Sequence, residues 1–544
     1  MNQYIADAIR ENWDNLALTD FDGSSFQYRD VARKIAKLHI FFDHIGLRSG
    51  DKIALCGRNS AQWAIAFLAT VTYGAVAVPI LHDFKADNIH HLVSHSEARL
   101  LFADAGTWEN LDPEAMPELE GAILISDYSI LLSRDKHLDS ARHNLNRLFG
   151  EKYPERFLPE DVKYFDPQSD RLALINYTSG STGFSKGVML SYGNLWSNVQ
   201  FCIDGLDFLK PGDGLVCMLP LAHMFGLMVE LLHPFVKGCH ISFLTRMPSP
   251  RVIMDAFARV KPKLIVTVPL ILEKIIRTKV FPMLEKPLMK ILLNLPVIDH
   301  KLLDKIKHKL TDVFGGNLQE IIIGGAGLNS DVEKFLRRIH FPYTVGYGMT
   351  ECGPLVAYAP WDIQRENSCG KIVDRMQLRI DSPDPATKPG VLWVKGDNVM
   401  QGYYKNPEAT DAVFRDGWMN TGDICTVDSD GYLYIRGRDK NMILGPSGQN
   451  IYPEEIEMQL NAMPYVGESL IVEREGKLVA LIYPDIENAK RQQMGDKELA
   501  DIMKQNISAL NSSLPSYSQI ADYKIMTEEF EKTPKRSIKR YLYQ

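Results

Sequence analysis

The stretch Tyr177-Thr-Ser-Gly-Ser-Thr-Gly-Phe-Ser-Lys-Gly187 decides how the rest of the chain is read. Apolar runs flank it at 172–176 and 188–191, and each reads as a strand. Small hydroxylated residues and glycines let backbone N–H and side-chain O–H groups surround a phosphate, and glycine permits close backbone approach. Lys186 adds a compact charge suited to a polyphosphate. The spacing G-x-x-x-x-G-K-[ST] is absent and the following segment is strand-like, so this phosphate loop is not of the Walker A kind.

Outward from the loop, short apolar runs alternate with helical periodicity. Strands are expected over 52–56, 74–80 and 99–103, and helices over 60–73 and 87–95. The alternation returns with strands at 263–268 and 319–323 and a helix over 331–340. Such alternation predicts βαβ units and parallel sheet. Beyond about residue 370 the texture changes, with strand-like pieces at 391–395 and 432–435 between Gly-, Pro- and Asp-rich turns. The last hundred residues regain a mixed pattern, with a helix over 454–462 and a strand over 478–483.

The chain has 544 residues, 45% hydrophobic and 24% charged. That is ordinary for a globular protein and too long for a single core. The net charge of -7 argues against a nucleic-acid partner. Seven scattered cysteines without a C-x-x-C pair predict buried free thiols in a reducing compartment. The N-terminus carries no apolar signal core, so a cytoplasmic location is expected. Pro220, His223, Glu230 and His233 interrupt the most apolar stretch, 215–236, which reads as buried core and not as a membrane span. The stretch 279–310 carries Lys279, Lys286, Lys290, Lys301, Lys305, Lys307 and Lys309 among apolar residues. It reads either as a helix pair packed on the main domain or as a basic amphipathic segment making peripheral membrane contact.

The loop at 177–187 resembles the phosphate-binding signature of the ANL adenylating enzymes: acyl-CoA synthetases, peptide-synthetase adenylation domains and luciferases. Ser185 stands where the family usually has proline. Further segments resemble the family's in order: Leu219-Pro-Leu-Ala-His-Met-Phe-Gly226, Gly324-Gly-Ala-Gly-Leu328, Gly346-Tyr-Gly-Met-Thr-Glu-Cys-Gly353, Trp418-Met-Asn-Thr-Gly-Asp423 and Gly437-Arg-Asp-Lys440. The resemblance is strongest to bacterial-type fatty-acyl-CoA ligases. It implies an α/β fold: a large N-terminal AMP- and acyl-binding domain of βαβ-type sheets and helices with a β-rich subdomain (1–436), a hinge (437–440), and a small mobile α+β C-terminal domain (441–544).

The same resemblance implies roles. The loop Thr178, Ser179, Gly180, Ser181, Thr182, Gly183 and Lys186 would hold the β and γ phosphates of ATP. Gly325, Ala326 and Gly327 would lie along the adenine, with Tyr347 stacked on it and Gly348 beside it. Thr350 would donate to the α-phosphate and Glu351 would ligate Mg²⁺, a hard cation suited to carboxylate oxygen. Asp423 would accept from the ribose hydroxyls with help from Arg438, and His223 would position the acyl carboxylate. Lys440 would be the hinge, and Gly448 would line the tunnel for coenzyme A. Met224, Phe225, Leu227 and Met228 suit an apolar acyl chain, and no acid precedes Glu230 in that segment to bind an α-ammonium. The implied activity is ATP-dependent conversion of a fatty acid to acyl-AMP and then to acyl-CoA. Acyl carrier protein is the alternative acceptor.

One position departs from the family. The C-terminal pattern T-P-x-x-K-[IV]-K-R reads Thr533-Pro-Lys-Arg-Ser-Ile-Lys-Arg540 here, so Ser537 stands where the resemblance implies a lysine that bridges carboxylate and nucleotide. Lys535, Arg536 or Lys539 could supply the missing charge; otherwise adenylation is slow, or the chain binds acyl group and nucleotide with little turnover.

Overall fold

The structure, a computed structural model, describes residues 1–178, 185–245, 249–284, 296–444, 449–533 and 537–544. Its largest sheet has eight strands, in the order Gly402–Tyr403, Lys186–Ser191, Leu172–Thr178, Val76–Ile80, Lys52–Cys56, Ala98–Ala103, Gly121–Leu124, Ile130–Ser133. The four pairings from Leu172–Thr178 through Gly121–Leu124 are parallel; the two pairings on one side of them and the one on the other are antiparallel. The connecting helix Ala61–Tyr73 is apolar all round and nearly wholly buried, as a helix enclosed on every side must be. Ser60 caps its first turn and Gly74, at φ 90°, ends it in a left-handed conformation that favours glycine.

A four-stranded sheet carries Gly214–Cys217, His240–Phe243, Leu16–Asp20 and Ser25–Gln27. A third sheet is wholly parallel: Leu264–Thr267, Glu320–Ile323 and Tyr343–Val345. Their side chains alternate between two cores, and the carboxyl ends of all three point to one side. Ligands of α/β sheets bind at that side. A β-rich unit follows, built on Met376–Asp381, Gly390–Gly396, Trp418–Val427 and Leu433–Arg438.

The C-terminal domain has its own sheet, Val466–Arg474, Lys477–Pro484 and Ile520–Ile525, with helices Pro453–Asn461 and Asp496–Ser513 against it. Its core is separate and includes Ile456, Leu460, Ile471, Ile482, Met503 and Leu510. The fold is therefore mixed α/β, with a large N-terminal domain and a smaller C-terminal one.

The apolar stretch 215–236 is core, as its interruptions imply. Within it Gly226–Leu232 is π-helical and runs into His233–Val236. Pro234 has no N–H to give back to the preceding turn, a common cause of local rewinding. All seven cysteines are free thiols, six of them buried. In the basic stretch, residues 285–295 lie outside the described residues. The helix Pro296–Val313 turns Leu303, Ile306 and Leu310 into the core, so that apolar face packs on the main domain and is not offered to a membrane. Among the described residues, no helix is long and apolar enough to cross one.

Candidate active site

The strand Leu172–Thr178 enters the phosphate loop and Lys186–Ser191 leaves it, paired antiparallel so that Thr178 faces Lys186. Ser179, Gly180, Ser181, Thr182 and Gly183 lie outside the described residues. Gly187 is pressed against Ile175 and Tyr177, where a Cβ would come within 2.9 Å of Ile175. The next strand out, Gly402–Tyr403, brings an aromatic side chain over the loop exit. The Lys186 ammonium lies 4.8 Å from the centre of the Tyr403 ring, and the Tyr403 hydroxyl donates to Glu351 at 3.0 Å. One tyrosine thus joins the loop cation to the carboxylate that the family pattern assigns to a metal. Lys186 has no carboxylate partner among the described residues, so its charge is available to an anion.

Thr350, Glu351 and Cys352 form a single 3-10 turn. The Met400 amide donates to the Glu351 carbonyl at 2.8 Å, and the Asn198 side-chain amide donates to the Cys352 carbonyl at 3.1 Å. These bonds hold the turn while the Glu351 side chain reaches Tyr403. Among the described residues, no group of three or more His, Cys, Asp or Glu gathers to hold a metal. A lone carboxylate beside a phosphate loop suits Mg²⁺, which keeps several waters and shares its ligands with phosphates.

The second half of the site grows from the parallel sheet. Leu264–Thr267, Glu320–Ile323 and Tyr343–Val345 end side by side, and the Gly324 and Gly346 amides donate to Thr267 and Ile323 carbonyls. Gly325, at φ 87°, turns the chain there. A Cβ on Gly324 would lie 2.9 Å from the Phe225 ring, so glycine permits the segment containing His223 to close on this turn. Gly348 has Pro354 against it, where a Cβ would meet a carbonyl oxygen at 2.3 Å.

Tyr347 projects toward the β-rich unit, where its hydroxyl donates to Asp423 in a short hydrogen bond. Arg438 holds the other Asp423 oxygen at 2.6 Å through Nε. Asp423 and Arg438 are cross-strand partners, which explains why residues fifteen apart meet. Burial raises the Asp423 carboxyl above its ordinary value; Arg438 and Tyr347 oppose this, and the nearby Glu351 charge adds to it. Lys440 lies in the 3-10 turn Asp439–Asn441 just beyond. Burial lowers its ammonium, Arg438 and Lys186 lower it further, and Asp423 and Glu454 oppose them. Lys440 therefore feels both halves of the site.

The segment with His223 is anchored by the Asn176 side-chain amide, which donates to the Ala222 carbonyl at 2.8 Å. His223 starts a helical turn, its carbonyl accepting from Leu227 at 2.9 Å. Met224, Leu227 and Met228 are sealed in the core, so of the four apolar residues expected to face an acyl chain only Phe225 is half-buried. Glu230 is buried and accepts from the Met218 and Leu219 amides, the latter at 2.8 Å. Its oxygens are occupied internally and burial pushes its carboxyl up to about 8.

In the C-terminal domain, Gly448, Lys535 and Arg536 lie outside the described residues. Ser537 is exposed; its amide donates to the Thr533 hydroxyl at 3.3 Å and its carbonyl accepts from the Thr533 amide at 2.8 Å. Lys539 pairs outward with Glu531 at 3.1 Å. Arg540 pairs inward with the buried Glu457. Sequence reasoning missed Tyr403. Its neighbours Gly402 and Tyr404 give no spacing signal, because its link to Glu351 spans fifty-two positions.

Residues 5–404 match the family model for AMP-binding enzymes, and residues 440–543 match that for the AMP-binding enzyme C-terminal domain. The chain is 27% identical over 469 residues to long-chain-fatty-acid–CoA ligase FadD15 of Mycobacterium bovis, covering 81% of this chain and 74% of that protein. It is 28% identical over 501 residues to long chain acyl-CoA synthetase 3 of Arabidopsis thaliana, covering 84% and 73%. ATP-bound MatB from Rhodopseudomonas palustris shares the fold, with a TM-score of 0.78 at 23% identity over 100% of this chain and 98% of that one. The chain belongs to the AMP-binding enzyme family, within the ANL superfamily of adenylate-forming enzymes.

Proposed function

We propose that the chain activates a fatty acid with ATP and Mg²⁺ as its acyl-adenylate and passes the acyl group to coenzyme A. The observation that carries the reading is the paired arrangement of Lys186–Tyr403–Glu351 and Tyr347–Asp423–Arg438, one suited to polyphosphate and metal, the other to a nucleoside. An anionic carboxylate must attack the α-phosphorus of an anionic nucleotide, so repulsion has to be cancelled by fixed cations and oriented donors. Lys186 with Ser179 and Thr182 binds the β and γ phosphates, and Thr350 donates to the α-phosphate. Glu351 holds Mg²⁺, which supplies charge neutralisation at the phosphates. Tyr347 stacks on adenine, with Gly325, Ala326 and Gly327 along its edge, and Asp423 accepts from the ribose. His223 positions the carboxylate and does no base work, since a carboxylate is already ionised at neutral pH.

The large domain 1–436 and small domain 441–544 pivot at 437–440, with Lys440 as the hinge and Gly448 beside the thiol path. The fatty-acid substrate is supported by the names of the relatives and by Glu230, the acid of the His223 segment, being tied to backbone amides. Acid-dependent exchange of labelled pyrophosphate into ATP tests the first half-reaction, and thioester formation with coenzyme A the second. Exchange is expected with fatty acids of some chain length; no exchange with any acid from short to long would leave a protein that binds without turnover.

A further inference from the structure

A cleft of about 530 Å³ opens between the helices Tyr28–His44 and Lys136–Lys152, and none of its lining residues belongs to the nucleotide site. Arg33, Lys34 and Lys37 recur at helical spacing along one wall, and Arg142 faces them from the other. Phe26, Tyr128 and Ile123 lie between. The size is that of a small-molecule site.

The charge of this cleft is only partly met internally. Among the described residues none of the four cations forms an ion pair. The Lys34 ammonium lies 5.0 Å from the Phe26 ring centre and 5.7 Å from that of Tyr128. Lys37 donates to the Asn146 side chain at 2.7 Å, and Arg142 donates to the Tyr128 carbonyl at 3.0 Å. The two carboxylates that line the cleft are bound by backbone amides: Asp30 accepts from Gln27 at 3.1 Å and Asp127 from Ser129 at 2.8 Å. Burial lowers both lysine ammonium groups. Lys37 lowers Lys34 further while Asp30 opposes it, and Arg33 and Arg142 lower Lys37 further. The cations repel one another across a space that no protein group fills. Tyr128 is held there at φ 60°, a strained conformation for an aromatic residue and one that concentrates at binding sites.

We propose that this cleft is a second ligand site, for a phosphomonoester carrying an apolar or aromatic body. Four cations against two carboxylates leave two positive charges, which matches a phosphomonoester at about −1.5 to −2 near pH 7 better than a single carboxylate. Three phosphate oxygens can use donors from both walls at once, and the rings give the body of the ligand a surface. The phosphate group could belong to a free metabolite or to a lipid headgroup.

Phenyl phosphate is a suitable probe, titrated calorimetrically into the full chain with the nucleotide site saturated by AMP. One binding event is expected, weakened about tenfold or more in the variant Arg33→Gln/Lys37→Gln and in Lys34→Gln, but unchanged in Lys477→Gln on the other domain. Cosedimentation with vesicles of phosphatidylcholine, with and without phosphatidic acid, forms the second arm. Binding only to the phosphatidic acid vesicles, lost in the same variants, assigns the phosphate to a lipid. Binding of neither probe, or binding that the cleft variants leave unchanged, overturns the proposal.

Discussion

Around the proposed nucleotide site of the large domain, charged groups are arranged around a space; among the described residues of the small domain's tail they are paired away. Asp423 takes Tyr347 and Arg438 on separate oxygens, and Tyr403 spans Lys186 and Glu351, leaving the Lys186 ammonium without a carboxylate. In the tail, Lys539 is spent on Glu531, Arg540 on buried Glu457, and Ser537 brings a hydroxyl only. Both regions are rich in cations by sequence. The difference teaches that a count of basic residues says little until their partners are known.

The sharpest way to break the comparison is to remove charge where it is available. Lys186→Ala and Glu351→Ala should each lower pyrophosphate exchange about a hundredfold, close to 3 kcal/mol of transition-state stabilisation, with the unfolding midpoint little changed. Parental exchange rates in both variants would place the reaction elsewhere. Next comes adding charge where it is missing. Ser537→Lys should speed adenylation about five- to a hundredfold and leave thioester formation nearly unaltered. Lys539→Ala should change adenylation little, because its ammonium is directed at Glu531. A large loss on Lys539→Ala with no gain on Ser537→Lys would reverse the assignment of the two positions.

The smallest effect concerns a carboxylate consumed inside the large domain. Glu230 ionises near 4.5 when unfolded and near 8 when folded, because burial disfavours its charge. The folded form therefore keeps a proton that the unfolded chain releases. Its contribution to stability is complete below about pH 4.5 and declines as the pH rises towards 8. Glu230→Gln removes that decline, so the variant's midpoint should gain on the parent's by a few degrees, at about 1 °C per kcal/mol for a domain of this size, between pH 5 and pH 8. Parallel midpoints across that range would show that Glu230 does not titrate differently on folding.

The elements around the phosphate loop were legible because local chemistry sets them. The apolar run before the loop becomes the strand Leu172–Thr178, and the helix expected over 331–340 is Ser330–Arg338, started by Asn329 capping the Asp331 amide. The π-helical turn at Gly226–Leu232 was not legible, since its apolar pattern fits an ordinary buried helix and only Pro234 hints at rewinding. The sealing of Met224, Leu227 and Met228 in the core was equally hidden, because apolar residues look alike whether they line a pocket or fill one. Tyr403 and the Arg540–Glu457 pair depend on partners far away in the chain, which no spacing rule anticipates.

The Asp423–Arg438 rung has a mechanical consequence. Arg438 is the last residue of its strand, and the chain leaves for the C-terminal domain through Asp439–Asn441 directly afterwards. The fulcrum of any rotation there is pinned to the carboxylate proposed to hold the ribose. On the far side, Asn441 donates to Glu454 at the start of the next helix, so the lever is clamped at both ends of a three-residue axle. A swing of the small domain about Lys440 would carry the outer clamp with it while the inner one stays engaged, and the nucleotide seat would stay still as the tail moved over it.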